Sequence, residues 1–115
     1  MTPAVTRSAP PAHVTRYVGL ADWWGRHVWL ERDGARSSLP YRGEDSVMGF
    51  AWGRRGLCAR ELSRSILHDA SGSPALADRL CREFTHEVVA RLPQLGFELN
   101  REDVLSWLDG RGPSD

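Results

Sequence analysis

The chain contains no lysine: all fifteen of its basic side chains are arginine. That absence excludes Schiff-base chemistry, which needs a lysine amine, and the phosphate loop that closes on a lysine. Cysteine is scarce as well, with only Cys58 and Cys81 in 115 residues. Two thiols with 22 residues between them, both in apolar helical pattern, are expected to be reduced core side chains rather than a disulfide. No run approaches the eighteen apolar residues of a membrane helix. Residues 1–13 are Pro, Ala, Thr and Ser in the main and lack an apolar signal region, so a cytoplasmic location with no membrane partner is expected. An excess of one charge is missing too: fifteen basic groups face fifteen acidic ones, so the net charge is zero. Such a balance does not demand a nucleic-acid partner.

Tryptophan is what the chain does have. Five are present, and Trp23, Trp24, Trp29 and Trp52 fall within thirty positions. Tyr17, Tyr41 and Phe50 share that region, which reads as a compact β-ribbon whose rings either build a core or face a partner. A length of 115 residues suits one domain with a core that needs no staples. The two ends differ in charge: residues 1–43 carry six arginines against Asp22, Glu31 and Asp33, whereas residues 69–115 carry five against nine acids.

Along the chain, residues 1–14 (Pro3, Pro10 and Pro11 among small polar residues) read as a flexible tail. A short strand is expected over Arg16–Leu20, then a turn over Ala21–Arg26 at Gly25. From His27 to Arg32 the pattern alternates, with Val28 and Leu30 on one face and Trp29 and Glu31 on the other. Asp33-Gly34 before the extended Ala35–Leu39 is a hairpin signal, and Pro40 ends that strand or confines it to an edge. Tyr41–Val47 is a polar loop, and Gly49–Gly53 is either a further strand or an ordered loop under the ribbon. From Cys58 to Asp69, Leu62 and Ile66 with Ala59 and Leu67 form one apolar helical stripe. Ser71-Gly72-Ser73 breaks it. Ser73 and Pro74 then cap and start a helix bearing Leu76, Leu80, Phe84 and Val88 at spacings of four. Val88-Val89 marks its end or starts a strand before Pro93, and Phe97–Leu99 is expected to join the sheet. Asn100, with Asp103 in a capping-box role, opens a last helix that buries Val104, Leu105 and Leu108 and stops at Gly110. Strands first and helices after predict an α+β fold: a small antiparallel sheet with an N-terminal β-hairpin, packed by two to three helices. The domain is expected over 15–109, with a frayed tail over 110–115.

Candidate chemistry is sparse. Of the histidines, His13 lies in the tail, His27 opens a strand, and His68 and His86 adjoin Asp69 and Glu87, which point elsewhere on a helix. Glu83 and His86, three apart, make a surface contact at most. Cys58, His68, Cys81 and His86 match no zinc spacing, so neither a metal nor a cofactor is expected. Glu102-Asp103 is explained by the helix dipole. Gly53-Arg54-Arg55-Gly56 precedes a helix that carries Arg60 and Arg64 four apart, so these four arginines can form one positive patch open to an anion. Trp52, Phe50, Phe84, Phe97 and Trp107 are assigned to the core. Trp29 and one of Trp23 and Trp24 are the rings left to face a partner.

The order Tyr17-Val18-Gly19, His27-Val28-Trp29, Leu39-Pro40, Phe50-x-Trp52-Gly53 and Leu62-x-x-x-Ile66-Leu67 resembles a small domain of unknown function found in bacteria, phages and other mobile elements. Phe84, Val88-Val89, Leu92-Pro93 and the closing Leu99–Leu108 helix extend the resemblance over about residues 16–109. Its motifs are structural, so it carries over no activity, cofactor or catalytic residue. Members of that family tend to have a Gly-rich run with Ser-Gly-Pro after the Trp-Gly. Arg54-Arg55-Gly56-Leu57-Cys58 stands there instead, which makes this loop the place for a role of this member's own.

The expected function is a small non-enzymatic protein-binding module of a mobile element that inhibits or regulates a host complex, in the manner of an anti-CRISPR protein. Its contact surface is assigned to Trp24, Trp29, Arg54, Arg55, Arg60 and Arg64. The alternatives are nucleic-acid binding through the same Arg/Trp surface, or a small enzyme using His86 with Glu83 or the two cysteines.

Overall fold

The computed structural model describes residues 14–23, 25–43 and 49–111. Three strands come first: β1 (Thr15–Asp22), β2 (Gly25–Arg32) and β3 (Ala35–Ser38). Helices α1 (Leu57–Ser71) and α2 (Pro74–Glu87) follow, then a 3-10 turn over Val89–Arg91, the strand β4 (Gly96–Asn100) and the helix α3 (Arg101–Asp109). The sheet is antiparallel throughout, in the order β3-β2-β1-β4. This is the expected α+β architecture.

Local chemistry explains most of these elements. β1 and β2 pair from Thr15↔Arg32 to Asp22↔Gly25, which narrows the expected Ala21–Arg26 turn to two residues, with Gly25 at φ 126°. Between β2 and β3, Asp33 and Gly34 both have positive φ, at 54° and 85°, as a type I′ hairpin requires. α1 ends at Gly72, whose left-handed φ of 74° lets its N–H reach the His68 carbonyl at 2.8 Å. Ser73 Oγ accepts the Leu76 N–H at 3.1 Å, and Pro74 occupies the first helical position.

Three segments differ from expectation or settle an open choice. Gly49–Gly53 is an ordered loop, held by Ala51 N–H donating to Cys58 O and Gly53 N–H donating to Val89 O. That second bond engages the Val89 carbonyl, and Val88-Val89 turns into the 3-10 segment instead of starting a strand. Asn100 stands at the N-cap of α3, but its side chain makes no capping bond. It is exposed as the last residue of β4 opposite Arg16, and Glu102 and Asp103 supply the negative charge of the first turn. The expected tails of 1–14 and 110–115 lie outside the described residues, apart from Val14, Gly110 and Arg111. Arg111 is not frayed: its guanidinium pairs with Glu87 and lies 4.4 Å over the Trp107 ring.

Alternation along the strands divides the sheet into two faces. Tyr17, Val28, Leu30 and Phe97 point inward and join Trp52, Leu62, Ile66, Phe84, Val89 and Val104 in one core. Trp52 is fully buried, with Phe97 edge-on to it at 5.0 Å. Gly19 is required beneath that ring, because a Cβ there would fall inside Phe97. The Tyr17 hydroxyl donates to Asp69 Oδ2 at 2.7 Å and ties the sheet to α1. Ser63 and Thr85, both buried, share a hydrogen bond of 2.6 Å between α1 and α2. Trp107 Nε1 donates to Glu87 Oε1 at 3.0 Å and its ring meets Phe84 edge-on at 4.9 Å, which fastens α3 to α2.

Candidate functional site

The residues of interest occupy two surfaces. The first is the outer face of the sheet, where Val18, Leu20, His27 and Trp29 lie in adjacent register positions. Val18 is 5% exposed but stands outside the core cluster, flanked in register by Trp29 and Glu98. Trp29 is half-buried, with the His27 ring stacked on it at 6.1 Å and the Arg36 guanidinium 5.9 Å over it. Leu20 is 46% exposed, and Trp23, past the end of β1, is 96% exposed. Leu95 lies close by, since its carbonyl accepts the Ala21 N–H, and it is 81% exposed. One end of this face is polar and self-neutralised: Arg16 bridges Glu31 at 3.0 Å and Glu98 at 3.3 Å, and Arg36 reaches Glu31 at 3.2 Å.

The second surface is a groove between α1 and α2. One lobe, a cavity of about 450 Å³, is lined by Arg55, Leu57, Arg60, Arg82, Thr85 and His86 among others. A neighbouring cavity of about 340 Å³ shares Leu57, Arg60 and Arg82 with it and adds Arg64, Arg79 and the carboxylates of Glu61 and Asp78. Those two acids are engaged by Arg64, whose Nη1 lies 2.8 Å from Glu61 and whose Nε lies 3.0 Å from Asp78. Burial is the largest single influence and opposes the Arg64 charge, but Glu61, Cys81 and Asp78 together outweigh it and hold the guanidinium above its ordinary range. Arg64 Nη2 also donates to Cys81 Sγ at 3.8 Å, which occupies that buried thiol.

The six residues assigned from sequence therefore separate. Trp24 lies outside the described residues. Trp29 is on the outer sheet face, whereas Arg55, Arg60 and Arg64 line the helical groove. Arg54 is exposed in the loop before α1. Among the described residues, Trp29 and these arginines do not share one surface, because strand alternation turns Trp29 away from the layer that carries the arginines. Arg79, Arg82 and His86 join the groove from α2. Their spacing of three and four along one helix was the available signal, but only the pairing of α1 with α2 places that stripe opposite Arg60.

Other candidates stay apart. Glu83 approaches Arg111 at 3.9 Å, Cys58 is half-buried and outside any disulfide, and His68 sits in the last turn of α1. Among the described residues no group of three or more His, Cys, Asp or Glu is arranged to hold a metal, and no helix is long and apolar enough to cross a membrane. A model described as a family of unknown function (DUF6166) matches residues 17–110. No curated protein and no solved structure matches the chain.

Proposed function

We propose, for a chain that belongs to the family of unknown function DUF6166, a non-enzymatic protein-binding role exercised through the outer face of the sheet. A module of this kind acts on a larger complex as an inhibitor or regulator, as an anti-CRISPR protein does. The observation that carries the proposal is the 46% exposure of Leu20 on the face that also bears Trp29, with Trp23 and Leu95, at 96% and 81% exposure, in the segments at the same end of the sheet. Large apolar side chains grouped at the surface, with charged pairs beside them, are the composition of a contact patch with a dry centre and a polar rim. Its partner is a protein with an apolar ridge, since Arg16, Glu31, Arg36 and Glu98 satisfy one another and leave no net charge to recognise.

Nucleic-acid binding through a joined Arg/Trp surface is placed second. That mode needs rings beside cations left open to phosphate, and here the Arg36 guanidinium over Trp29 is paired with Glu31, while the groove arginines belong to another layer.

The test compares wild type, Leu20→Asp and Trp29→Ala as bait in host extract. A protein retained by wild type, lost by both variants and then rebound as a purified pair supports the reading. A purified partner that binds all three equally, with the thermal midpoints of the variants unchanged, overturns it.

A further inference from the structure

The net charge of the chain is zero, yet five arginines converge on the groove between α1 and α2. Arg64 alone is neutralised there, by Glu61 and Asp78. Arg55, Arg60, Arg79 and Arg82 have no carboxylate partner among the described residues. Like charges gathered on the walls of a cavity repel one another, and an anion entering the cavity removes that cost. Guanidinium groups suit this use, because their planar fork matches the oxygens of a phosphoryl group.

We propose that the α1/α2 groove binds a small ligand bearing a diphosphate. Two lobes meet at Arg60 and Arg82; Arg55 flanks the first and Arg79 the second. That arrangement makes two neighbouring anion subsites with shared cations at their junction, which fits two linked phosphoryl groups better than one. The first lobe also holds the start of α1, where Gly56 provides no side-chain cap and the first turn has no acid. Among the described residues, His86 is the one ring lining either lobe. Binding of a nucleic-acid strand relies on successive aromatic platforms for its bases, and His86 is a single ring, so a free diphosphate is favoured over a polymer backbone. The site is separate from the outer sheet face and stands whether or not that face binds a protein.

Isothermal titration of the full chain with sodium pyrophosphate tests the proposal, with orthophosphate and a short single-stranded oligonucleotide as comparison ligands. Pyrophosphate is expected to saturate one site about tenfold more tightly than orthophosphate, a difference of about 1.4 kcal/mol. Arg60→Glu and Arg82→Glu should each weaken it by about tenfold or more, whereas Arg91→Glu, exposed and outside the groove, should leave it unchanged. Should either charge reversal lower the melting temperature, Arg60→Gln and Arg82→Gln repeat the measurement without the added negative charge. Equal affinity for the two phosphates, or pyrophosphate binding indifferent to both variants, overturns the diphosphate site. Tighter binding of the oligonucleotide through the same arginines overturns it in favour of a polymer-backbone surface.

Discussion

The Tyr17 hydroxyl on β1, a strand that pairs on both sides, donates to Asp69 Oδ2 on α1 across 2.7 Å. It thereby bonds the sheet to the helical layer at a point where the ring is fully buried. Burial first, and then the Asp69 carboxylate as acceptor and as charge, push the phenol above its ordinary range.

Tyr17→Phe should cost about 1–2 kcal/mol, because it removes a hydrogen bond to a charged acceptor and leaves Asp69 without that donor. A pH dependence follows. An unfolded tyrosine ionises near pH 10, and the folded one holds its proton to higher pH, so the unfolded state is the one that loses a proton first. The contribution of Tyr17 is therefore complete below about pH 10 and falls away above it. Urea melts from pH 8 upward should show a steeper alkaline loss for wild type than for Tyr17→Phe; equal slopes would remove Tyr17 as the cause.

Gly19→Ala should destabilise by about 1–3 kcal/mol, since the added methyl must displace the Phe97 ring from its edge-on contact with Trp52. Gly110→Ala supplies the control, because the nearest atom to a Cβ there is at 3.6 Å. Denaturant midpoints of the two variants decide the point.

Ser73→Ala should cost about 1 kcal/mol through loss of the bond from the Leu76 N–H. Ser73→Asp should restore most of it. Thermal melts of the three proteins measure both effects.

Glu87→Ala should loosen α3, since one carboxylate holds both Trp107 Nε1 and the Arg111 guanidinium. A loss of about 1–2 kcal/mol is expected, against less than about 0.5 kcal/mol for Glu83→Ala, whose approach to Arg111 is 3.9 Å. Amide exchange confined to 101–111 in the Glu87 variant would locate the effect.

Trp23→Ala should leave stability within about 0.5 kcal/mol, because a ring that is 96% exposed has almost no burial to lose. If the ring instead docks on a partner, the same variant should weaken that complex by about 2 kcal/mol or more. Paired melting and binding measurements separate the two.

Local signals in the sequence were enough for the elements they govern. Asp33-Gly34 specified its hairpin because two consecutive positive φ values leave few other residue choices. Ser73-Pro74 specified a helix start for the same kind of reason, and the stripe of Leu62 and Ile66 specified the buried side of α1. Asn100 shows the limit: its residue type suits a cap, but its place at the end of β4 leaves the side chain unbonded. The candidate sites were less legible because they depend on pairing over long distances. Alternation in β2 already turned Trp29 away from Val28 and Leu30. That the arginines lie on the other layer follows from which sheet face α1 covers, and no short window of sequence carries that information. Arg79 and Arg82 reach the groove only because α2 packs antiparallel beside α1.

One last consequence comes from β4. Arg16 on β1 meets Glu98 on β4, 82 residues further along the chain. At a ribosomal rate of about 5–20 residues per second, roughly 4–16 s separate the synthesis of those partners. Through that interval one side of β1, with Tyr17, Val18 and Leu20 along it, has its backbone groups unpaired and resembles an aggregation template. The β1–β2 hairpin can form as soon as it emerges, but the nascent sheet stays open until residues 96–100 arrive. Chains stopped before Gly96 should therefore need a chaperone to remain in solution, whereas chains carried through Asn100 should close that edge themselves.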